Sequence, residues 1–122
     1  MKNKTLNYKV LRVFAPILIL IGILGFVISP DQALNSGAAP YNIFHLIFGV
    51  IGLFLVFYKN ESLIRLFNLG FGLIDLYQAL ASFLHIFPEQ YFQWTQADDF
   101  LHILVGAILV GVGIYGYRYR DN

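Results

Sequence analysis

The sequence predicts an all-α fold: a four-helix transmembrane bundle built from two tandem helical hairpins. Three observations predict it. Four apolar runs have spanning length, every Lys and Arg falls on the same side of those runs, and a polar pattern recurs in the second and fourth of them. Composition sets the frame. Hydrophobic residues make up 58% of the 122-residue chain and charged residues 12%, against roughly 45–50% and about a quarter in soluble domains. A soluble domain this short leaves much of its surface in water and cannot hide so much apolar area. A bilayer can. A net charge of +1 with no basic stripe argues against a nucleic-acid partner. The lack of Cys removes disulfides, thiolate ligands and thiol nucleophiles.

The apolar runs cover residues 13–29, 41–58, 63–87 and 100–117 of a single membrane domain, 1–122. A spanning helix needs roughly 20 residues, within about 17–25. The first, second and fourth runs are near the lower limit, and the third is long enough to tilt. None alternates as barrel strands do, and hydrocarbon offers the backbone no outside partner, so the runs read as helices. Lys2, Lys4, Lys9 and Arg12 precede the first run. A basic start and an apolar run also describe a signal peptide, but 17 residues exceed an h-region of about 7–15, so the run reads as a span. Pro30 to Pro40 form a loop, with Pro40 placed to open the second helix. Lys59, Asn60, Glu61 and Ser62 form a tight turn in which Ser62 is expected to cap the third helix. Pro88 begins a longer connection ending at Asp98 and Asp99, acids that suit the start of the fourth helix.

The remaining basic residues, Lys59, Arg65, Arg118 and Arg120, share the side of the first four, whereas the opposite loops carry Asp31, Glu89, Asp98 and Asp99. The positive-inside rule then puts both termini in the cytoplasm, with an inner or plasma membrane as the natural home. Tyr91, Phe92 and Trp94 are expected to form an aromatic belt at the outer surface.

The second and fourth spans share the pattern Asn/Asp-x-x-His-x-x-x-Gly: Asn42, His45 and Gly49 against Asp99, His102 and Gly106. The first and third also begin alike, with Leu11, Arg12 and Phe14 against Ile64, Arg65 and Phe67. The match implies a duplicated hairpin, its two units related by an axis along the membrane normal. On that alignment Asp75 corresponds to Gly22, a small residue able to admit the polar side chain.

His45, His85 and His102 are expected within roughly 5–8 Å of the outer interface, given a rise of about 1.5 Å per residue. Asp99 stands three residues before His102 and is expected to orient it. Asn68, Asp75, Gln78, Ser82, His85 and Glu89 run down one seam of the third helix. Asp75 lies mid-span, where a charge costs about 2.5–3.5 kcal/mol, so a neutral, hydrogen-bonded acid is expected there.

Three readings follow. His45 and His102, with His85 and Asp99, can ligate a divalent metal, a haem or a chlorophyll in the bundle interior, as in an accessory subunit of a larger complex; the plainer alternative is hydrogen-bonded glue between helices. Asp75, Gln78, Ser82 and His85 can line a proton or ion path, although Phe71 interrupts it. Glycine-rich faces (Gly22/Gly25, Gly49/Gly52, Gly106/Gly111/Gly113) suit packing inside the bundle, or against other membrane subunits or a second copy. No metalloprotease, nucleophile-elbow, P-loop or dinucleotide motif occurs, so the expectation is a non-enzymatic membrane protein with a polar His/Asp site near the outer face.

Asn42, His45 and Gly49, followed by Asp98, Asp99, Leu101, His102 and Gly106, resemble the DUF4383 family of bacterial four-span membrane proteins over most of the chain. The resemblance implies the four-span fold and topology and carries no activity.

Overall fold

The structure, a computed structural model, describes residues 5–29 and 31–119, with side chains described as far as residue 116. Lys2, Lys4 and Arg120, and the Arg118 side chain, lie outside the described residues. Among the described residues the chain forms five helices and no strand: α1 (Leu6–Val27), α2 (Ala39–Tyr58), α3 (Glu61–Leu84), the single turn α4 (Glu89–Phe92) and α5 (Gln96–Tyr119). Four are long and apolar enough to cross a membrane. The four-helix bundle is therefore the observed fold, and the protein is a multi-pass membrane protein.

Burial confirms the solvent. Asn7, Asn68 and Asp98 are at most 1% exposed, whereas Phe57 and Phe83 are 74% and 80% exposed. Water would favour the reverse; hydrocarbon around a polar-cored bundle favours this.

The helices start earlier than the apolar runs. α1 begins at Leu6, capped by Thr5, whose hydroxyl oxygen accepts from the Tyr8 N–H. Lys9 and Arg12 thus lie within α1. Hydropathy marks where hydrocarbon begins, not where the backbone starts to coil, so basic residues at the interface continue the helix. At about 1.5 Å per residue the 22 residues of α1 cross the roughly 30 Å hydrocarbon layer. Pro40 does open α2. The cap of α3 is Asn60, not Ser62: its side-chain oxygen accepts from the Leu63 N–H at 3.0 Å. Ser62 lies inside the helix, where it cannot cap the first turn.

At the other end α3 stops at Leu84, and His85 turns left-handed with φ 56°. The Ile86 N–H reaches the Ala81 carbonyl at 3.0 Å and the His85 N–H that of Ser82 at 3.4 Å, the paired bonds of a Schellman stop.

α1 packs chiefly on α2 and α3 chiefly on α5, and glycine permits both contacts. A Cβ on Gly49 would stand 2.6 Å from Ile19 Cγ1 and 2.8 Å from the Ile19 nitrogen, while one on Gly106 would meet the Gly72 carbonyl oxygen at 2.9 Å. Gly22 admits Leu46 and the Asn42 carbonyl of its own hairpin, not Asp75. Gly111 and Gly70 have nothing within 4 Å.

Three layers stack along the bundle. At the end carrying Lys9, Arg12, Lys59 and Arg65 (the basic end), the Thr5 hydroxyl donates to the Glu61 carboxylate. There Asn68 donates to the Asn7 side-chain oxygen at 2.9 Å, and Asn7 to the Val112 carbonyl at 3.2 Å. One asparagine so ties α1 to both α3 and α5. The middle layer is aromatic: Phe14, Phe44, Phe48 and Phe67 surround Phe71, with ring centroids 5.3–5.8 Å from it. The third layer, toward the acidic loops, is polar again.

Gly49→Val should destabilise the bundle by about 1–3 kcal/mol through overpacking. Gly70→Ala, in open space, should stabilise it by about 0.5–1 kcal/mol. Thermal unfolding of the two variants in detergent checks the contrast.

Candidate functional site: a polar cavity beneath a buried carboxylate

The start of α5 builds the site. In Thr95-Gln-Ala-Asp98 the Asp98 N–H donates to the Thr95 hydroxyl at 3.2 Å, and the Thr95 N–H donates back to the Asp98 carboxylate at 2.9 Å. This is the reciprocal pairing of a capping box, with Asp in the acidic position. It points the carboxylate into the protein, where Asp98 is 1% exposed. Three further donors converge on it: the Tyr41 hydroxyl at 2.6 Å, the Asn35 amide at 2.8 Å and the Ser36 N–H at 2.8 Å. Two more bonds tie the loops together, from the Ser36 hydroxyl to the Phe92 carbonyl at 2.6 Å and from the Thr95 hydroxyl to the Leu34 carbonyl at 2.7 Å. The result is a roof joining the first acidic loop, α2 and α5.

Beneath the roof a cavity of about 190 Å³ is lined by Tyr41 and His45 from α2, Asp75 from α3, and Asp98 and His102 from α5. α1 contributes only apolar side chains to it. The His45 Nδ1 lies 2.8 Å from the Tyr41 carbonyl; since that oxygen only accepts, Nδ1 carries a proton and donates. The Tyr41 ring leans on the same imidazole, centroids 4.3 Å apart. His102 is packed edge-on against Trp94 at 6.0 Å, and its Nδ1 is buried with no partner among the described residues. Asp75 is 4% exposed and makes no hydrogen bond among the described residues; the hydrogen-bonded acid expected from the sequence is not formed within the protein.

Five expectations are corrected. Asp99 does not orient His102: its Oδ1 is itself buried without a partner among the described residues, and the carboxylate sharing the cavity with His102 is Asp98. At about 100° per residue, a four-residue step falls closer to His102 on the helix than a three-residue step does. His85 does not join the other histidines. The left-handed stop after Leu84 swings its side chain out to 80% exposure, 3.5 Å from Glu89, so the polar seam of α3 stays buried from Asn68 through Asp75 and Gln78 to Ser82 and ends there. The metal set His45, His85, His102 and Asp99 is therefore not assembled, and no group of three or more acidic or His side chains among the described residues is placed to hold a metal. The cavity also lies below the roughly 300–1,000 Å³ of pockets that enclose drug-sized ligands, too small for a haem or chlorophyll macrocycle. Nor is there a full aromatic belt: Tyr91 is 55% exposed, but Trp94 is 8% exposed, packed with Tyr41 and Ala81.

The residues missed were Asp98, Tyr41 and Asn35. For Asp98 a signal existed, since Thr-x-x-Asp before an apolar run is the capping-box pattern. For Tyr41 and Asn35 there was none. Compared with protein-family models, curated proteins and solved structures, the chain matches none, and its chemistry is argued from its own residues.

Asp98→Ala should cost at least about 3 kcal/mol, because several buried donors lose their acceptor at once. Tyr41→Phe should cost about 1–2 kcal/mol. The double variant should cost less than the sum, and chemical unfolding in detergent followed by Trp94 fluorescence measures that coupling.

Proposed function

We propose that this chain is a non-catalytic protein of the bacterial inner membrane that binds a small hydrogen-bonding ligand in the cavity. The observation that carries the reading is a convergence: His45, Asp75, Asp98 and His102, from three helices, line one space. There the His102 Nδ1 is buried with no partner among the described residues, and Asp75, almost fully buried, makes no hydrogen bond among them. Buried polar groups are normally satisfied, and leaving one bare costs about 1–3 kcal/mol. A ligand with hydrogen-bonding oxygens supplies what the fold omits.

The topology in this reading is cytoplasmic at both termini, with the basic end inside and the cavity in the outer half. The described Lys and Arg residues, all at one end, support it. Tandem duplication is part of the same reading. Leu11 and Ile64 are equivalent by sequence and both fully buried; Gly49 and Gly106 are equivalent and both make close helix contacts. Tyr41 and Asp98 are also equivalent, and they touch each other, as residues beside a pseudo-twofold axis do. Kinship with the DUF4383 family fits this architecture and adds no activity. A cofactor-holding accessory role gains nothing from a cavity this small. A proton path through Asp75 is opposed by the phenylalanine layer, which separates the cavity from Asn7 and Asn68.

A binding role predicts that ligand-free protein is stabilised, not weakened, when the unpartnered groups become apolar. Asp75→Leu and His102→Leu should each raise stability by about 1–3 kcal/mol in detergent; destabilisation by both would make these groups structural glue. The chain has no Cys, so single cysteines at Leu34 and Lys59 report topology. An impermeant maleimide applied to intact cells should label the first and spare the second. Liposomes should show no pH-driven proton flux above empty vesicles, and a flux abolished by Asp75→Asn would establish the proton path instead.

A further inference from the structure

The cavity adjoins an apolar groove of about 360 Å³ between α1 and α5, with Phe14, Ile17 and Val105 lining both. The groove runs along Val13 and Ile108 toward Lys9 at the basic end. A polar chamber beside an apolar groove at one edge of the bundle matches one molecular shape. We infer that the ligand is an uncharged single-chain amphiphile, with a compact oxygen-bearing head in the cavity and an apolar tail in the α1–α5 groove. This rests on the binding reading above and adds the ligand's class.

Three observations select that class. The first is size: about 190 Å³ is the liquid volume of about six waters, enough for one ring-sized head. The second is charge. The cavity lining holds no Lys or Arg, so a phosphate or carboxylate head finds no counter-charge there. The third is depth. Asp75 lies nine residues before the end of α3, roughly 13 Å along the helix, where the headgroup of a bilayer phospholipid does not reach and an isolated charge is costly. His102, with its unpartnered Nδ1, and Asp75 offer nitrogen and oxygen atoms to carbonyl or hydroxyl groups of a neutral head. An inner-leaflet phospholipid with its phosphate at Lys9 is the competing occupant of the groove; it would leave the cavity groups unpartnered.

The single tryptophan reports occupancy, because Trp94 packs on His102 at 6.0 Å and quinone rings quench indole fluorescence on contact. The probe is a decyl-substituted benzoquinone titrated into the full chain in phosphatidylcholine nanodiscs. Saturable quenching is expected, weakened about tenfold by His102→Leu, which removes a head contact, and similarly by Val105→Phe, which narrows the groove. Circular dichroism and gel filtration confirm that both variants remain folded, and His102→Gln should restore part of the affinity. Quenching that rises linearly and equally in all variants is partitioning alone and overturns the proposal, as does displacement of the probe by decyl phosphate, which marks a lipid in the groove. If the tail-less tetramethylbenzoquinone binds as tightly as the decyl probe and is lost in His102→Leu, the cavity binds ligand but the tail assignment fails. If neither probe saturates while Asp75→Leu destabilises, the binding reading falls as well.

Discussion

The architecture at the acidic end of this protein depends on one buried carboxylate. Asp98 accepts from the Tyr41 hydroxyl, the Asn35 amide, and the Ser36 and Thr95 backbone N–H groups. Those donors belong to a loop, to α2 and to the start of α5. A carboxylate is suited to the place because it offers about four acceptor positions and needs no donor. By satisfying the start of α5 and the acidic loop together, it closes the bundle over the cavity. Beneath the roof, His102 and Asp75 keep hydrogen-bonding capacity unmatched among the described residues.

Polar contacts matter here because lipid removes the usual driving force for helix association. Hydrocarbon is as apolar as leucine, so packing must come from close approach and from hydrogen bonds across helices. The chain uses both in separate places. Gly49 and Gly106 bring the helices of each hairpin close, while Asn7 joins the hairpins at the basic end and Asp98 does so at the acidic end. Between those ends, phenylalanines interlock around Phe71. Polar at both ends and aromatic in the middle, the interior is anchored by hydrogen bonds at each end and by ring packing between them.

The contrast between Asn68 and Asp75 separates a side chain bonded across helices from one that faces a cavity. Both lie on the same seam of α3 and are almost fully buried. Asn68 is bonded to Asn7 at 2.9 Å, and Asp75 faces a cavity. A helix seam alone does not distinguish them, because the partner comes from another element. The same holds at His85, where sequence periodicity continued but the backbone did not: the left-handed residue after Leu84 turned the next polar side chain out.

By itself the sequence determined that this is an all-α membrane protein with four spans, because helix length, hydropathy and punctuation by Pro40, Asn60 and Pro88 are local properties. It also marked His45, His102 and Asp75 as interior residues, since polar side chains in apolar helices must turn inward. Only the tertiary structure decided which of them meet. It chose Asp98 over Asp99 as the central carboxylate, excluded His85 from the cavity and moved Trp94 into the core. The physical reason is that hydrogen bonding and cavity formation depend on distances between elements far apart in the chain, as in Asn35 to Asp98 or Asn7 to Asn68. Periodicity along one helix carries no information about what stands opposite.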